Sequence, residues 1–136
     1  MLFRSSYSIR GPGDSYGMHI DFGNKDIIYQ YNYSEDSAGG FCEILGDNYN
    51  CTYRFNVSVN DGFRDFHGNT LWVSDFAGTG KKVTSDNNYI YNNSIYLGKN
   101  QSPDITITFR SGSVTLNPIA NGKARPLVVW NESKLR

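Results

Sequence analysis

Short runs in which apolar and polar side chains alternate recur along this chain, and they constrain its fold more than any other feature. Every second residue is apolar in 16–22, in 53–59 and in 105–109. A period of two places successive side chains on opposite faces of a β-strand. No ten-residue segment combines helical spacing of apolar residues with a capping residue at its start. The sequence therefore predicts a mostly β protein.

Turn-forming residues separate these runs. Gly23, Asn24 and Lys25 lie between the apolar runs 16–22 and 26–31, which predicts a β-hairpin. Short strands at intervals of roughly ten residues are typical of packed antiparallel sheets. We therefore expect two packed antiparallel sheets in a single domain over residues 1–136, without an internal repeat.

Length and charge limit the class of protein. A chain of 136 residues can bury a core without help from a metal, so no cofactor is expected. Thirteen basic residues balance thirteen acidic ones, so no global field attracts nucleic acid or an acidic membrane. The chain also lacks an apolar run of the length, about 18 residues, that indicates a transmembrane helix.

The two cysteines, Cys42 and Cys51, are separated by eight residues in a Gly-rich and Asn-rich segment. A disulfide between them would close a small loop and stabilise the fold by about 2.5–3 kcal/mol. It would also indicate an oxidising compartment. Two unpaired thiols in the core are the first alternative. A metal site is the second, although no histidine lies nearby and zinc usually takes four ligands.

Candidate catalytic residues are few. His19 is placed at an outward position of a strand and His67 in a turn, and neither has a nearby Cys or Ser that suggests a nucleophile–base pair. Asp61, Asp65 and Asp75 are expected to be solvated turn carboxylates. The sequence predicts no catalytic residue and no metal site, and therefore no enzyme.

The C-terminus carries the most distinctive charge pattern. Lys123, Arg125, Lys134 and Arg136 are opposed only by Glu132, a local net charge of +3. One interpretation is a solvated sheet edge whose charges discourage pairing with other sheets. The other is a patch that contacts DNA phosphates.

Three segments resemble a known family. The strand pair 15–22 and 26–31, the strand and turn 105–114, and the closing segment 125–136 are similar to the GspH/FimT-type minor pseudopilins and other type IV pilin-like proteins. The likeness covers roughly a third of the chain. It departs from the family pattern at Ser133, where the family has Gly, and at Lys134, where it has Arg.

This resemblance implies the soluble head of a pilin-like protein, α+β in its full-length form, without the N-terminal helix. The implied function is a structural subunit of a type IV pilus or a type II secretion filament, with other pilin or pseudopilin subunits as partners. The location would be periplasmic or extracellular, with contact to the inner membrane only through the missing helix. By the same likeness Lys134 and Arg136 would contact DNA during uptake, and charge alone adds Lys123 and Arg125.

The alternative is a secreted carbohydrate-binding β-sandwich, similar to lectins or adhesins. Aromatic side chains beside amides or carboxylates stack on sugars and hydrogen-bond to them. Trp72 with Asp75, and Tyr89 with Asn87 and Asn88, are the candidates for such contacts.

Overall fold

The structure is a computed structural model in which every regular element is a strand. It describes the backbone of residues 4–6, 16–63, 69–98, 104–107, 112–116, 119–120, 123–124 and 128–131, and the side chains of 16–63 and 70–98. The strands are β1 (Arg4–Ser6), β2 (Tyr16–Ile20), β3 (Ile28–Gln30), β4 (Tyr33–Glu35), β5 (Gly40–Ile44), β6 (Thr52–Arg54), β7 (Val57–Val59), β8 (Asn69–Val73), β9 (Ser85–Tyr91), β10 (Ser94–Leu97), β11 (Asp104–Ile107), β12 (Gly112–Leu116), β13 (Ile119–Ala120), β14 (Lys123–Ala124) and β15 (Val128–Asn131).

Strands that follow one another in the chain do not share a main sheet. The three main sheets have the orders β11-β8-β5-β2, β12-β9-β6-β3 and β1-β4-β7-β10-β15, and all their pairings are parallel. Only β13 and β14 pair antiparallel among the described strands. The chain therefore winds as a parallel β-solenoid with three faces, in which each turn adds one strand to each face.

The backbone repeats, although no repeat was expected from the sequence. Met18 pairs with Cys42 and Tyr33 with Val57, and the contacts between these first two turns span 24 residues. From the second turn to the third the spacing rises to 37 residues on the later faces. The additional residues lie in the connections on either side of β8, so the ladder itself continues unchanged.

The prediction of two packed antiparallel sheets with a pilin-like head is therefore wrong, while the prediction of a mostly β chain agrees with the strands described. Alternation of side chains is the same in parallel and antiparallel strands, so the pattern cannot distinguish them. The predicted hairpin is also wrong, because β2 and β3 lie in different sheets and Gly23 (φ 80°) is at the corner between them.

Residues with positive φ mark the solenoid corners and recur in register. They are Asp26, Asn50 and Asn87 at one corner, Tyr31, Phe55 and Asn92 at the next, and Asp36 and Asn60 at the third. Asn and Asp tolerate this left-handed conformation better than other residues with a side chain. The corner at Phe55 divides the predicted strand 53–59 into β6 and β7.

The core lies inside the solenoid. Met18, Cys42 and Leu71 follow one another in register on neighbouring strands and are all buried. On the next face the rings of Tyr29 and Tyr53 stack, with centroids 5.2 Å apart. Like residues of successive turns thus lie on top of each other, which explains why the core consists of ladders.

A buried ladder of asparagines satisfies the backbone at the corner before the third face. The Asn56 side-chain oxygen accepts a hydrogen bond from the backbone N–H of Asn32 at 3.0 Å, and the Asn93 oxygen accepts one from Asn56 N–H at 3.0 Å. Asn56 Nδ2 donates to the carbonyl of Tyr29 at 3.1 Å, and Asn93 Nδ2 donates to that of Tyr53 at 3.1 Å. These amides replace the sheet hydrogen bonds that the backbone loses where it turns.

The disulfide predicted between Cys42 and Cys51 is absent from the structure, which holds two buried free thiols. Cys42 lies in β5, whereas Cys51 precedes β6 on the next face and directs its Sγ towards the carbonyl oxygens of Tyr49 and Asn24. The solenoid corner between them sends the two side chains into different ladders. Burial raises the pKa of both thiols, strongly for Cys42.

A colorimetric thiol titration of denatured protein that has never been reduced should therefore detect two reactive thiols per chain. The native protein should react at least about tenfold more slowly, because only the thiolate attacks the reagent and burial disfavours it. The variant with serine in place of both Cys42 and Cys51 is the control and should show no reactive thiol. A count of zero after denaturation would restore the disulfide and contradict the free thiols.

Candidate functional site

The outer surface of the β3–β6–β9 sheet brings together polar and aromatic side chains from three turns. Gln30, Arg54 and Tyr91 are in register at the ends of these strands. The preceding residues, Tyr29, Tyr53 and Ile90, fill the core. Because side chains alternate along a strand, Gln30 and Arg54 point to the outside of the solenoid, while Tyr91 is only 5% exposed.

Arg54 is fixed across this surface by two neutral partners. Its Nε donates to Oε1 of Gln30 at 2.8 Å, and its Nη1 donates to the hydroxyl of Tyr91 at 3.0 Å. The guanidinium carbon lies 5.9 Å from the centre of the Phe55 ring, which is within range of a cation–π interaction. The guanidinium is thus held in one orientation at the protein surface.

Two exposed rings stack beside it at the corner. The centroids of Tyr31 and Phe55 are 5.5 Å apart with an angle of 12° between the rings, and the side chains remain exposed, at 61% and 39%. Tyr91 meets Phe55 edge-on at 6.2 Å. The two rings therefore stack face against face and form an exposed apolar platform next to the guanidinium.

The backbone at this corner does not explain why the rings are there. Tyr31 and Phe55 have φ values of 59° and 54°, which are uncommon for bulky residues and cost about 1–2 kcal/mol each. The third turn uses Asn92 at the same corner with φ 52°, a residue that tolerates this conformation. The first two turns thus carry strained residues at a corner where Asn would fit without strain. Backbone strain of this kind is typical of functional sites.

We call these five residues the Arg54 patch: Gln30, Tyr31, Arg54, Phe55 and Tyr91. It combines an exposed aromatic platform, a fixed cation and the Gln30 amide, and the buried Tyr91 holds the cation in place. Such a surface can hold a ligand that has both a flat apolar face and hydrogen-bonding groups.

The opposite corner of the same sheet carries amides and carboxylates. Asn50 Nδ2 donates to Asp26 Oδ1 at 2.6 Å, Asn87 Nδ2 lies 3.4 Å from Asn50 Oδ1, and the Tyr89 hydroxyl donates to Asn87. Tyr89 and Asn87, which were proposed together as sugar contacts, are thus bonded to each other. Asn88 is fully buried and donates to the carbonyl of Asn48, so it is not available to a ligand.

The other residue pair proposed for sugar contacts is not a binding surface. Trp72 packs against Tyr16, with centroids 6.0 Å apart. Asp75 is buried, so it is not the solvated turn carboxylate that was expected.

Asp61 is likewise buried, although it was expected to be solvated. Its Oδ1 accepts a hydrogen bond from the backbone N–H of Ser37 at 2.8 Å, and its Oδ2 accepts one from Ser58 Oγ at 2.6 Å. Burial raises the pKa of Asp61 to about 6, and the hydrogen bonds from the serines oppose that rise. The carboxyl group therefore titrates near neutral pH while enclosed in the fold.

A cluster of ionisable side chains lies on the surface formed by β2 and β5. His19 Nδ1 is 3.3 Å from the buried Glu43 Oε2 and 3.9 Å from Asp21 Oδ1, and Nε2 is 3.1 Å from the carbonyl oxygen of Tyr16. A carbonyl only accepts, so Nε2 carries a hydrogen there. This contact orients the imidazole. Within residues 16–63 and 70–98, no three His, Cys, Asp or Glu side chains are arranged to hold a metal ion.

The C-terminal basic residues lie mostly outside the described part of the chain. The backbone of Lys123 belongs to β14, but its side chain is not described, and Arg125, Lys134 and Arg136 lie outside the described residues. His67 and Asp65 lie outside them too. DNA contact through the four basic residues stays a prediction.

Comparison with known proteins identifies no relative. The chain matches no family model, no curated protein and no solved structure. A search of the described residues for a helix of the length and hydropathy needed to cross a membrane finds none.

Proposed function

We propose that this chain is a carbohydrate-binding domain whose Arg54 patch holds a glycan against the outside of a β-solenoid. The observation that carries this proposal is the exposed, nearly parallel pair of rings, Tyr31 and Phe55, kept at a corner where both residues are strained. It retains the sugar-binding alternative of the sequence analysis and replaces the expected β-sandwich with a solenoid.

The chemistry of the patch supports a sugar. One face of a pyranose ring presents C–H groups, which pack against an aromatic face and are thereby removed from water. The hydroxyls at the ring edge need donors and acceptors, which Arg54 and Gln30 supply beside the rings. Since the patch spans adjacent turns of a sheet, it suits an extended chain of sugars.

Removing the rings should abolish binding without unfolding the protein. We expect Tyr31→Asn and Phe55→Asn each to weaken binding to an oligosaccharide at least tenfold, because each removes one half of the stacking platform. Asparagine suits the left-handed backbone, as Asn92 does in the third turn, so the fold is kept. Glycan-array screening followed by calorimetric titration of a bound oligosaccharide measures the effect.

Phe76→Ala is the matched control. Phe22 and Phe76 are also exposed, at 46% and 42%, but their rings meet edge-on at 81° and do not stack as Tyr31 and Phe55 do. This variant should bind as the unsubstituted protein does. Equal loss in the Phe76 variant, or no glycan binding by the unsubstituted protein, would contradict the proposal.

The pilin-like role remains a separate prediction. Its structural premise, a head of two antiparallel sheets, is contradicted by the parallel pairing. A filament role, DNA uptake and a periplasmic or extracellular location are expectations drawn from the resemblance alone. The described contacts favour the glycan-binding proposal over them.

A further inference from the structure

We infer that the glycan held by the Arg54 patch is acidic, and that a hexuronate carboxylate binds the Arg54 guanidinium. This inference rests on the proposed function and names the class of sugar that the same patch selects. It follows from the hydrogen-bond capacity, the charge and the fixed orientation of Arg54.

Arg54 has donors that the protein does not use. A guanidinium group carries five N–H donors and no acceptor. In the described structure Nε donates to Gln30 and Nη1 donates once to Tyr91. The second hydrogen of Nη1 and both hydrogens of Nη2 remain, and these two nitrogens together offer the fork that a carboxylate accepts with its two oxygens.

The charge of Arg54 is also uncompensated in the described part of the chain. The ion pairs found there involve His19, and no described carboxylate lies within 4.0 Å of the Arg54 guanidinium. Gln30 and Tyr91 are neutral acceptors, so they fix the group without neutralising it. A half-buried cation held in this way is suited to an anionic partner from outside the protein.

The position of the fork relative to the rings indicates a sugar acid rather than a free anion. The guanidinium carbon is 5.9 Å from the Phe55 centroid, and Phe55 forms the platform with Tyr31. A hexuronate carries its carboxylate on the ring carbon next to the ring oxygen, so one residue can stack and form the ion pair together. The two oxygens of the planar carboxylate match the planar fork.

The test compares one oligosaccharide with and without its charge. Calorimetric titration compares four ligands. They are an oligogalacturonate, its fully methyl-esterified form, a neutral hexose oligosaccharide of the same length, and a sulfated oligosaccharide. We expect the acid to bind at least tenfold more tightly than the ester. The difference should shrink as salt is raised, because the ion pair lies at the surface.

Two substitutions locate the effect. Arg54→Gln should make the acid and the ester bind equally, because it removes both the positive charge and the two-pronged donor. Arg54→Lys keeps the charge but loses the two-pronged donor, so it should retain only part of the preference for the acid. Thermal unfolding of both variants checks the fold, and if either fails to fold, the acid-to-ester ratio of the unsubstituted protein still decides.

The outcomes separate the two proposals. Binding of none of the four ligands would overturn the acidic specificity, and the glycan-array screen decides the glycan-binding function separately. Equal binding of acid and ester would leave that function standing and overturn the acidic specificity. Tighter binding of the sulfated ligand, or a preference for the acid that persists in Arg54→Gln, would overturn the assignment of a carboxylate to Arg54.

Discussion

Replacing Asn56 with alanine should lower the free energy of unfolding by about 2–6 kcal/mol, since two half-buried backbone groups lose their partners at a cost of about 1–3 kcal/mol each. Asn56 is buried and its amide joins all three turns of the asparagine ladder. The substitution removes the acceptor of Asn32 N–H and the donor to the Tyr29 carbonyl. It also removes the 2.9 Å contact with Asn93 Oδ1.

Urea denaturation followed by circular dichroism measures this change. Asn50→Gly is the matched control, because it removes an exposed amide that bonds to Asp26 and preserves the positive φ of that corner. We expect the control to cost less than about 1 kcal/mol. Equal losses in the two variants would show that the buried ladder does not stabilise the solenoid more than a surface contact.

Asp61→Asn should make the protein more stable near neutral pH and remove part of its pH dependence. The pKa of Asp61 is raised from 3.8 to about 6 in the folded chain. The native state therefore binds this proton more tightly than the unfolded state. The resulting stability is complete below pH 3.8 and is lost as the pH rises through 6. At about 1.4 kcal/mol per pKa unit, the loss amounts to about 3 kcal/mol.

The measurement is the unfolding free energy of both proteins between pH 3.5 and 7. Other groups titrate equally in both, so the difference between the two curves isolates Asp61. We expect that difference to shift by about 3 kcal/mol in favour of the variant as the pH rises. Asparagine keeps an acceptor for Ser37 N–H and a polar contact to Ser58. Parallel curves would mean that Asp61 does not titrate in this range.

The strand content of this fold can be predicted from the sequence, but the pairing of the strands cannot be predicted from alternation. Tyr16, Met18 and Ile20 alternate as expected and are buried in β2. The backbone turns at Phe55, but the alternating pattern of the sequence continues through it. Phe55 occupies the position at which the pattern expects an apolar residue, so the pattern does not reveal the corner. A local pattern contains no information about a partner 24 residues away.

A signal for the solenoid was nevertheless present in the spacing. Tyr29 and Tyr53, Asn32 and Asn56, and Ser34 and Ser58 are identical residues separated by the 24 positions of the first turn. The longer spacing of the next turn hides the repeat in the rest of the chain. Asparagines that looked like turn residues form a buried ladder, which depends on stacking between turns.

The candidate site was mostly missed for the same reason. Arg54 and Phe55 looked like alternating members of one strand, and Gln30 and Tyr31 like the end of a hairpin. Only stacking of the turns brings the four side chains together. The sugar-binding hypothesis came from aromatic residues beside amides and carboxylates, whereas the particular residues of the Arg54 patch depended on the register.

The parallel pairing of each strand with its counterpart in the next turn also determines how the molecule can come apart. A terminal turn has one neighbour, whereas the two interior turns, β5–β7 and β8–β10, are each bonded on both sides. Stability in such an array is a sum over adjacent units, so loss of an end leaves the remainder paired. Loss of either interior turn separates the units on its two sides, and the cooperativity of the whole array therefore depends on β5–β7, which contains Arg54 and Asn56, and on β8–β10.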